Sequence, residues 1–220
     1  MESIWIKKIN TDRNCVIYRL DVSKGLMHYF SPNCEMFAEF GFDVSNIPKS
    51  LLAVPILSNV MQFAWLFDCL VWIEEVDKQF YECLPKIKQG FQEMYRNYSF
   101  GGSLIAAKVI DNHYRAEKES ALLFTGGVDA TTTFLRIRDT HPILIDTFGW
   151  CNDKNDESSV FNADISAIGR FAGENHVQAE YIKSNFATFI KPEKVNKVLN
   201  RKLHNSWWFG FQHSLAFLGM

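Results

Sequence analysis

The sequence contains no CxxC pair, and its five cysteines are scattered along 220 residues. A disulfide-rich fold and a cysteine-rich zinc site both need cysteines at close, regular spacing, so the sequence argues against both. We therefore expect reduced thiols in a cytoplasmic protein. The cysteines are Cys15, Cys34, Cys69, Cys83 and Cys151.

The sequence also lacks an excess of charge of either sign: 23 Lys and Arg face 25 Asp and Glu, a net charge of -2. This balance argues against a generic polyanion-binding protein, so RNA is a less favoured partner. The N-terminal stretch MESIWIKKINTDRNC has neither the apolar core nor the small-residue cleavage site of a secretory signal. We again expect a cytoplasmic location.

One long hydrophobic run, residues 51–73 (LLAVPILSNVMQFAWLFDCLVWI), approaches the length of a membrane span. Pro55, Asn59, Gln62 and Asp68 interrupt it, and an aspartate near a bilayer centre costs about 2.5–3.5 kcal/mol on insertion scales. A buried helix or a subunit interface is therefore favoured over a membrane helix, and a homo-oligomer is one outcome of the interface alternative.

The first half of the chain divides into two patterns. Residues 15–43 alternate apolar and polar positions and predict a small antiparallel sheet. From Pro48 to Tyr98 apolar residues return every three or four positions, which predicts helices with breaks at Pro85 and Gly90. The charged run RAEKE then indicates a domain boundary near residue 115, with a β-rich then helical region at 1–115 and a second domain at 116–220.

The second half predicts an α/β unit. Strands are expected at residues 120–124, 142–148 and 177–182, and helices at 129–138 and 158–174. This βαβαβ order implies a parallel sheet with right-handed crossovers. No strand-like segment follows Ile182, since the remaining sequence is helix-like.

The turn after the first of these strands carries the motif FTGGVDAT. In an open α/β sheet, ligands bind at the carboxyl ends of the strands. Gly126 and Gly127 allow main-chain amides to approach a phosphate, and the following helix N-terminus adds a partial positive charge. Thr125, Thr131 and Thr132 add hydroxyl groups. We therefore expect a phosphate-binding loop.

Asp129 in this turn has two interpretations. An aspartate beside a phosphate repels it unless a cation lies between them, so Asp129 is a candidate magnesium ligand. Alternatively, Asp129 caps the helix and the glycines only form a tight turn.

FTGGVDAT after an apolar strand resembles the SGGxDS loop of the PP-loop ATP pyrophosphatases, the adenine nucleotide alpha hydrolase superfamily. The resemblance covers about residues 118–185 and implies a parallel sheet of the HUP type. It also implies ATP and Mg²⁺ as cofactors and transfer of AMP to an acceptor with release of pyrophosphate. Thr125, Gly126, Gly127 and Asp129 match the motif, whereas Ala130 replaces its last serine or threonine, with Thr131 one residue further on.

The resemblance extends the ATP site to both sides of the motif. It implies contacts from the loop itself and from the end of the second strand, where the adenine and ribose would lie. Asp146 is a ribose ligand or the cap of a turn. The implied contacts are Phe124, Thr125, Gly126, Gly127, Val128, Asp129, Thr131, Asp146, Thr147 and Phe148.

Polar residues also end the third strand. Lys183, Ser184 and Asn185 are candidates for substrate or phosphate contacts, with Lys183 as a catalytic residue beside Asp129. A solvated loop is the alternative.

The C-terminal region combines a basic helix-like stretch with an aromatic run. Lys194, Lys197 and Arg201 share one helix face, which suits RNA but is more often a solvated surface. Trp207, Trp208, Phe209 and Phe211 are expected in a core or interface, and His204 and His213 lack metal-ligand spacing. The other basic residues of the stretch are Lys191 and Lys202.

The absence of CxxC pairs disfavours the sulfur-transfer and deazapurine branches of the superfamily, so activation of a small acceptor, such as a carboxylate, is expected. The long leader, the loop, the SNF segment and WWFGFQH are more weakly similar to the bacterial ATP-dependent epimerases of the terminal glutamate in UDP-muramoyl dipeptide. Ala130 and the lack of later strands favour the alternative of a non-catalytic nucleotide-binding or assembly module.

Overall fold

A computed structural model describes residues 2–113, 120–152, 154–155, 158–202 and 208–220. The chain is an α/β protein with one mixed eight-stranded sheet, in the order β5-β4-β1-β2-β3-β8-β7-β6. The strands are β1 (Ser3–Asp12), β2 (Cys15–Val22), β3 (Glu35–Glu39), β4 (Leu70–Asp77), β5 (Ser103–Ile110), β6 (Ala121–Leu123), β7 (Ile143–Phe148) and β8 (Ala179–Ser184).

The helices lie on both faces of this sheet. They are α1 (Lys49–Phe67), α2 (Lys78–Met94), α3 (Val128–Ile137), α4 (Ser159–Glu174), α5 (Phe186–Phe189), α6 (Pro192–Lys202), α7 (Trp208–Phe211) and α8 (Phe217–Gly219). Short 3-10 turns occupy Met27–Tyr29 and Arg138–Thr140, and a π-helical turn occupies Gln212–Ala216.

The predicted N-terminal antiparallel sheet is confirmed for β2 and β3, which pair with each other, and β2 also pairs with β1. β1 itself was not predicted. Its inward residues Ile4 and Ile6 are buried, but a bulge between Ile6 and Lys8 breaks the alternation that predicts a strand. Met27–Tyr29, expected in a strand, forms a 3-10 turn instead.

The prediction that only helices occupy the chain from Pro48 to Tyr98 is wrong between α1 and α2. There β4 lies between β1 and β5 and pairs in parallel with both. Its inward side chains Val71 and Ile73 are buried, but the intervening Trp72 and glutamates give the segment a helix-like spacing in the sequence. The breaks expected at Pro85 and Gly90 do not occur, because α2 runs through both residues.

Helix α1 is the apolar run that also has the length of a membrane span. It is the one helix of the described residues that is long and apolar enough for one, and 83% of its apolar window is buried inside the protein. Its polar residues bond within the helix: Asn59 donates to the carbonyl of Pro55, and Gln62 donates to that of Ser58. The expected buried helix is confirmed.

The predicted βαβαβ unit is confirmed. β6, β7 and β8 are parallel, and α3 and α4 follow β6 and β7. The unit has its own apolar core, formed by Phe124, Phe134, Leu144, Ile168 and Ala172. In the described part of the chain no strand follows β8, and β6 forms one end of the sheet.

The N-terminal strands and the βαβαβ unit join through β3 and β8, which pair antiparallel at Ala38–Ser184 and Glu39–Lys183. The amino end of β3 therefore extends past the carboxyl end of β8, at the same edge of the sheet. The boundary expected near residue 115 falls within residues 114–119, outside the described residues.

The C-terminal aromatic run contributes to the main core. Trp208 and Phe211 are buried there, as expected. Lys194, Lys197 and Arg201 lie on the exposed side of α6, whereas Val195 and Leu199 are buried. His204 and Trp207, and the side chains of Lys202, Phe209 and His213, lie outside the described part of the structure.

Candidate functional site

The FTGGVDAT turn lies at the carboxyl end of β6 and is open to solvent. The Phe124 amide donates to the carbonyl of Ile145 at 2.8 Å, which fixes the end of β6 against β7. Thr125, Gly126 and Gly127 are exposed. Gly126 has a φ of 76°, in the left-handed region that favours glycine, and no heavy atom lies within 4 Å of where a Cβ would be. The turn is therefore accessible to a ligand.

Helix α3 begins directly in this turn. Its N-cap is Gly127, without a side-chain capping bond, and the first helical bond is the Thr131 amide donating to the Gly127 carbonyl at 2.9 Å. The amides of the first helical turn therefore have no partner within the helix. They form a positive end that can accept an anion.

Asp129 lies in this first turn of α3 and is exposed. Because Gly127 occupies the N-cap position, the interpretation of Asp129 as a capping residue is wrong. No ion pair or hydrogen bond involves its carboxylate within the described residues. One free carboxylate beside a phosphate-binding turn fits Mg²⁺, which is often held by one or two carboxylates together with substrate phosphates.

Phe124, Val128 and Thr131 of the motif differ in what they can offer a ligand. The Phe124 ring is buried against α3 and α4, and Val128 is 82% exposed without polar atoms, so only the main chain of these two residues can bind a ligand. The Thr131 hydroxyl lies 3.5 Å from the carbonyl oxygen of Gly126, a long contact. The Thr131 side chain therefore lies next to the loop in which it was predicted to contact a ligand.

Asp146 lies in β7, level with Phe124 of β6, because Leu123 pairs with Ile145. It is 4% exposed, and its Oδ2 has no hydrogen-bond partner in the described part of the structure. Burial, together with the negative charge of Asp164, raises the pKa of Asp146 to about 6, and a hydrogen bond from the Thr147 amide opposes the rise. The alternative of a turn cap is wrong, since Asp146 lies within a strand.

The side chains of Thr147 and Phe148 lie away from the predicted ATP site. Thr147 points to the opposite face of the sheet from Asp146, where its buried hydroxyl lines an apolar groove with Leu123 and Ile145. Phe148 packs beside Cys15, Phe37 and Cys151. Only their main chain remains available at the end of β7.

Ser184 and Asn185 hold the two parts of the sheet together. The Ser184 hydroxyl donates to the carbonyl of Phe37. Asn185 accepts from the Phe37 amide at 2.9 Å and donates to the Glu35 carbonyl at 3.1 Å. Both residues are buried, so the solvated-loop alternative is wrong for them.

Lys183 differs from its neighbours because its side chain reaches the segment that follows β7. Its ammonium group donates to the carbonyl of Lys154 at 3.0 Å. This contact anchors that segment at the carboxyl edge of the sheet.

Sequence reasoning missed a pocket of about 360 Å³ at this edge, which we call the junction pocket. It lies between the residues after β7, the residue after β8, and the start of β3. Its N-terminal residues were not predicted because only the β3–β8 pairing brings them there, and no local pattern reports such a pairing. The lining residues are Ile17, Ser31, Pro32, Asn33, Glu35, Phe37, Asn152, Lys154, Asn155 and Asn185.

Asp164 was also missed. It lies on α4 and is half-buried, and only the structure reveals its electrostatic interaction with Asp146. Within the described ranges, no cluster of three or more His, Cys, Asp or Glu residues could hold a metal ion by itself. A metal at Asp129 would therefore need ligand oxygens from a bound phosphate.

Comparisons with protein-family models, with curated proteins and with solved structures find no match for this chain.

Proposed function

We propose that this chain is an ATP-binding, magnesium-dependent enzyme with a PP-loop unit of HUP type in β6–β8. It would transfer AMP to a small acceptor, such as a carboxylate, and release pyrophosphate. The observation that carries the proposal is the open glycine turn at the carboxyl end of a parallel strand, leading directly into a helix with uncapped amides.

A second observation supports a ligand at this place. The buried Oδ2 of Asp146 has no partner among the described residues, and its strand position is level with Phe124 at the start of the turn. A buried acceptor without a partner is unfavourable by about 1–3 kcal/mol, and a ribose hydroxyl would supply the missing donor. This supports the ribose interpretation of Asp146.

In the proposed reaction, a carboxylate oxygen of the acceptor attacks the α-phosphorus. The bond from phosphorus to the bridging oxygen breaks, and pyrophosphate leaves with that electron pair. Main-chain amides from Thr125 to Asp129 bind the leaving pyrophosphate, which positions the reacting groups. Bound Mg²⁺ would neutralise phosphate charge, and Asp129 would hold it. Lys183 would keep the segment after β7 in place through Lys154.

The central experiment tests the turn without disturbing the fold. Gly127 has an ordinary φ of -68°, and the nearest atom to a Cβ built there is 3.7 Å away. Gly127→Val should therefore fold, while its side chain occupies the space where phosphate approaches the amides. We expect at least a 10-fold loss of ATP affinity by calorimetry with Mg²⁺. Gly90→Val, on an exposed and unobstructed site in α2, is the control and should bind ATP like the wild type.

The reaction itself is tested with α-³²P-labelled ATP and a panel of carboxylic acids. AMP and pyrophosphate, or the mixed anhydride of the acid with AMP, would support adenylation. ADP as the sole product would refute it.

A second candidate is a non-catalytic nucleotide-binding or assembly module. It is favoured by Ala130, which has no hydroxyl at the position where the motif has a serine or threonine. Tight ATP binding without any turnover would support it, and steady AMP production would refute it.

A further inference from the structure

We propose that the junction pocket binds the purine base of the nucleotide, with the phosphates held at the glycine turn. This inference rests on the proposed function. It places the base beyond β7, in a pocket that the N-terminal strands help to form.

The pocket lies on the same edge of the sheet as the turn. Asn152 and Lys154 follow the carboxyl end of β7, and Asn185 follows that of β8. Glu35 and Phe37 belong to β3, whose amino end lies at this edge because β3 and β8 are antiparallel. A ligand lying along this edge would reach both places.

The separation also fits a nucleotide. Three strand spacings of about 4.8 Å separate β6 from β3, roughly 14 Å in total. The pocket spans the last two of these spacings, between β7 and β3. An extended nucleoside triphosphate with its phosphates at β6 would pass Asp146 of β7 with its ribose and enter the pocket with its base.

The lining chemistry is suited to a neutral heteroaromatic ring. Ile17 and Phe37 provide apolar surface, and the side-chain amide of Asn33 provides the paired donor and acceptor with which asparagine recognises adenine. A volume of about 360 Å³ lies in the range of small-ligand pockets.

The pocket contains few charges. Lys154 is its one cationic lining residue among those described, and the carboxylate of Glu35 is already paired with Arg19 at 2.8 Å. A neutral base therefore meets no uncompensated carboxylate in the described lining, and a carboxylate acceptor, which Lys154 would attract, is the competing occupant that the test distinguishes.

The wall of the pocket contains a buried polar group without a partner among the described residues. The Ser31 hydroxyl is buried and has no hydrogen-bond partner within the described residues. Its backbone is fixed, because the Ser31 amide donates to the Phe189 carbonyl at 2.9 Å. Asn185 uses both amide atoms on the β3 main chain, which keeps the pocket wall rigid.

The test separates the two ends of the nucleotide with adenosine and pyrophosphate as independent probes, titrated by ligand-observed NMR. Ser31→Ala removes only the unpartnered hydroxyl, and Asn33→Phe fills the pocket from an exposed position. We expect Ser31→Ala to weaken adenosine binding about 2- to 10-fold, the effect of one hydrogen bond, and Asn33→Phe to weaken it more. Pyrophosphate binding should not change.

Two matched controls complete the design. Ser58→Ala removes another buried, unpartnered hydroxyl, in α1, and should leave adenosine binding unchanged. Gly127→Val should weaken pyrophosphate binding but not adenosine binding.

Each further outcome has a definite meaning. If neither pocket variant alters adenosine binding while Gly127→Val still weakens pyrophosphate binding, the base pocket is refuted and the proposed function stands. If N-acetylglycine, a small carboxylate probe, responds to the pocket variants instead of adenosine, the pocket belongs to the acceptor and the inference is overturned. If neither adenosine nor pyrophosphate binds the wild type, the proposed function fails as well.

Discussion

Replacing Asp146 by asparagine should change the pH dependence of stability and weaken nucleotide binding. The carboxyl group is buried, and its folded-state pKa is about 6 against an ordinary value of 3.8. A raised pKa of an acid means that the folded state favours the protonated form. The resulting stabilisation is fully present below pH 3.8 and is lost as the pH rises through 6.

The magnitude follows from these two values. A shift from 3.8 to about 6 corresponds to at most about 3 kcal/mol, at 1.36 kcal/mol for each pH unit. Between pH 4.5 and pH 8 the wild type should lose about 2 kcal/mol of this stabilisation. Asp146→Asn retains the shape of the side chain but cannot ionise. From pH 4.5 to pH 8, the variant should therefore become about 2 kcal/mol more stable relative to the wild type.

Urea unfolding at several pH values measures this difference, and other titrating groups cancel between the two proteins. Asp139→Asn is the control, because the Asp139 side chain is 99% exposed, and its curve should parallel the wild type. A parallel curve for Asp146→Asn would refute the account of a buried, penalised carboxylate. Calorimetry at pH 8 should also reveal weaker ATP binding, because asparagine is a poorer acceptor for a ribose hydroxyl than a carboxylate.

Two further predictions concern the hydrogen bonds of Asn185 and the packing of Gly149. Asn185→Ala should lower the unfolding free energy in urea by about 2–4 kcal/mol, because it leaves the buried Phe37 amide and the partly buried Glu35 carbonyl without this partner. A loss below 1 kcal/mol would contradict this account. Gly149→Ala should destabilise the protein by about 1–3 kcal/mol, because its Cβ would lie 2.1 Å from the Phe186 ring. The control Gly173→Ala lies on an unobstructed helical site and should stabilise the protein by about 0.5–1 kcal/mol in the same assay. Equal effects of the two alanine substitutions would contradict the packing argument.

The fold was predictable where local patterns agree with the tertiary structure. In the βαβαβ unit, polar residues and glycines separate short apolar strands from helices, so every element was found. In the N-terminal region the strands have one face towards solvent. The exposed Trp5 of β1 and Trp72 of β4, both more than a third exposed, remove the alternation by which such strands are recognised.

The positions of the candidate site residues were predictable only where they depend on one local segment. The glycine turn and Asp129 lie at the end of β6, where the motif placed them, and Asp146 lies beside the turn. The burial of Asp146 and the role of Asn185 depend on contacts between residues that are distant in sequence. Asn185, for example, bonds to Phe37 across 148 positions. No pattern within one segment contains such a contact, because it arises only when β3 and β8 pair.

The unfavourable position of Asp146 is itself an argument about function. An apolar residue at this place in β7 would pack with Leu144 and avoid a penalty of up to about 3 kcal/mol at neutral pH. Proteins tolerate a buried polar group without a partner mainly at functional sites, where a bound ligand can supply the missing hydrogen bond. The buried Asp146 oxygen, the left-handed Gly126 and the unpartnered Ser31 hydroxyl all belong to segments at the carboxyl edge of the parallel strands. A single nucleotide along that edge would satisfy the hydroxyl and the carboxylate and occupy the open turn, which would explain why these two unpartnered groups and the open glycine turn belong to one edge of the sheet.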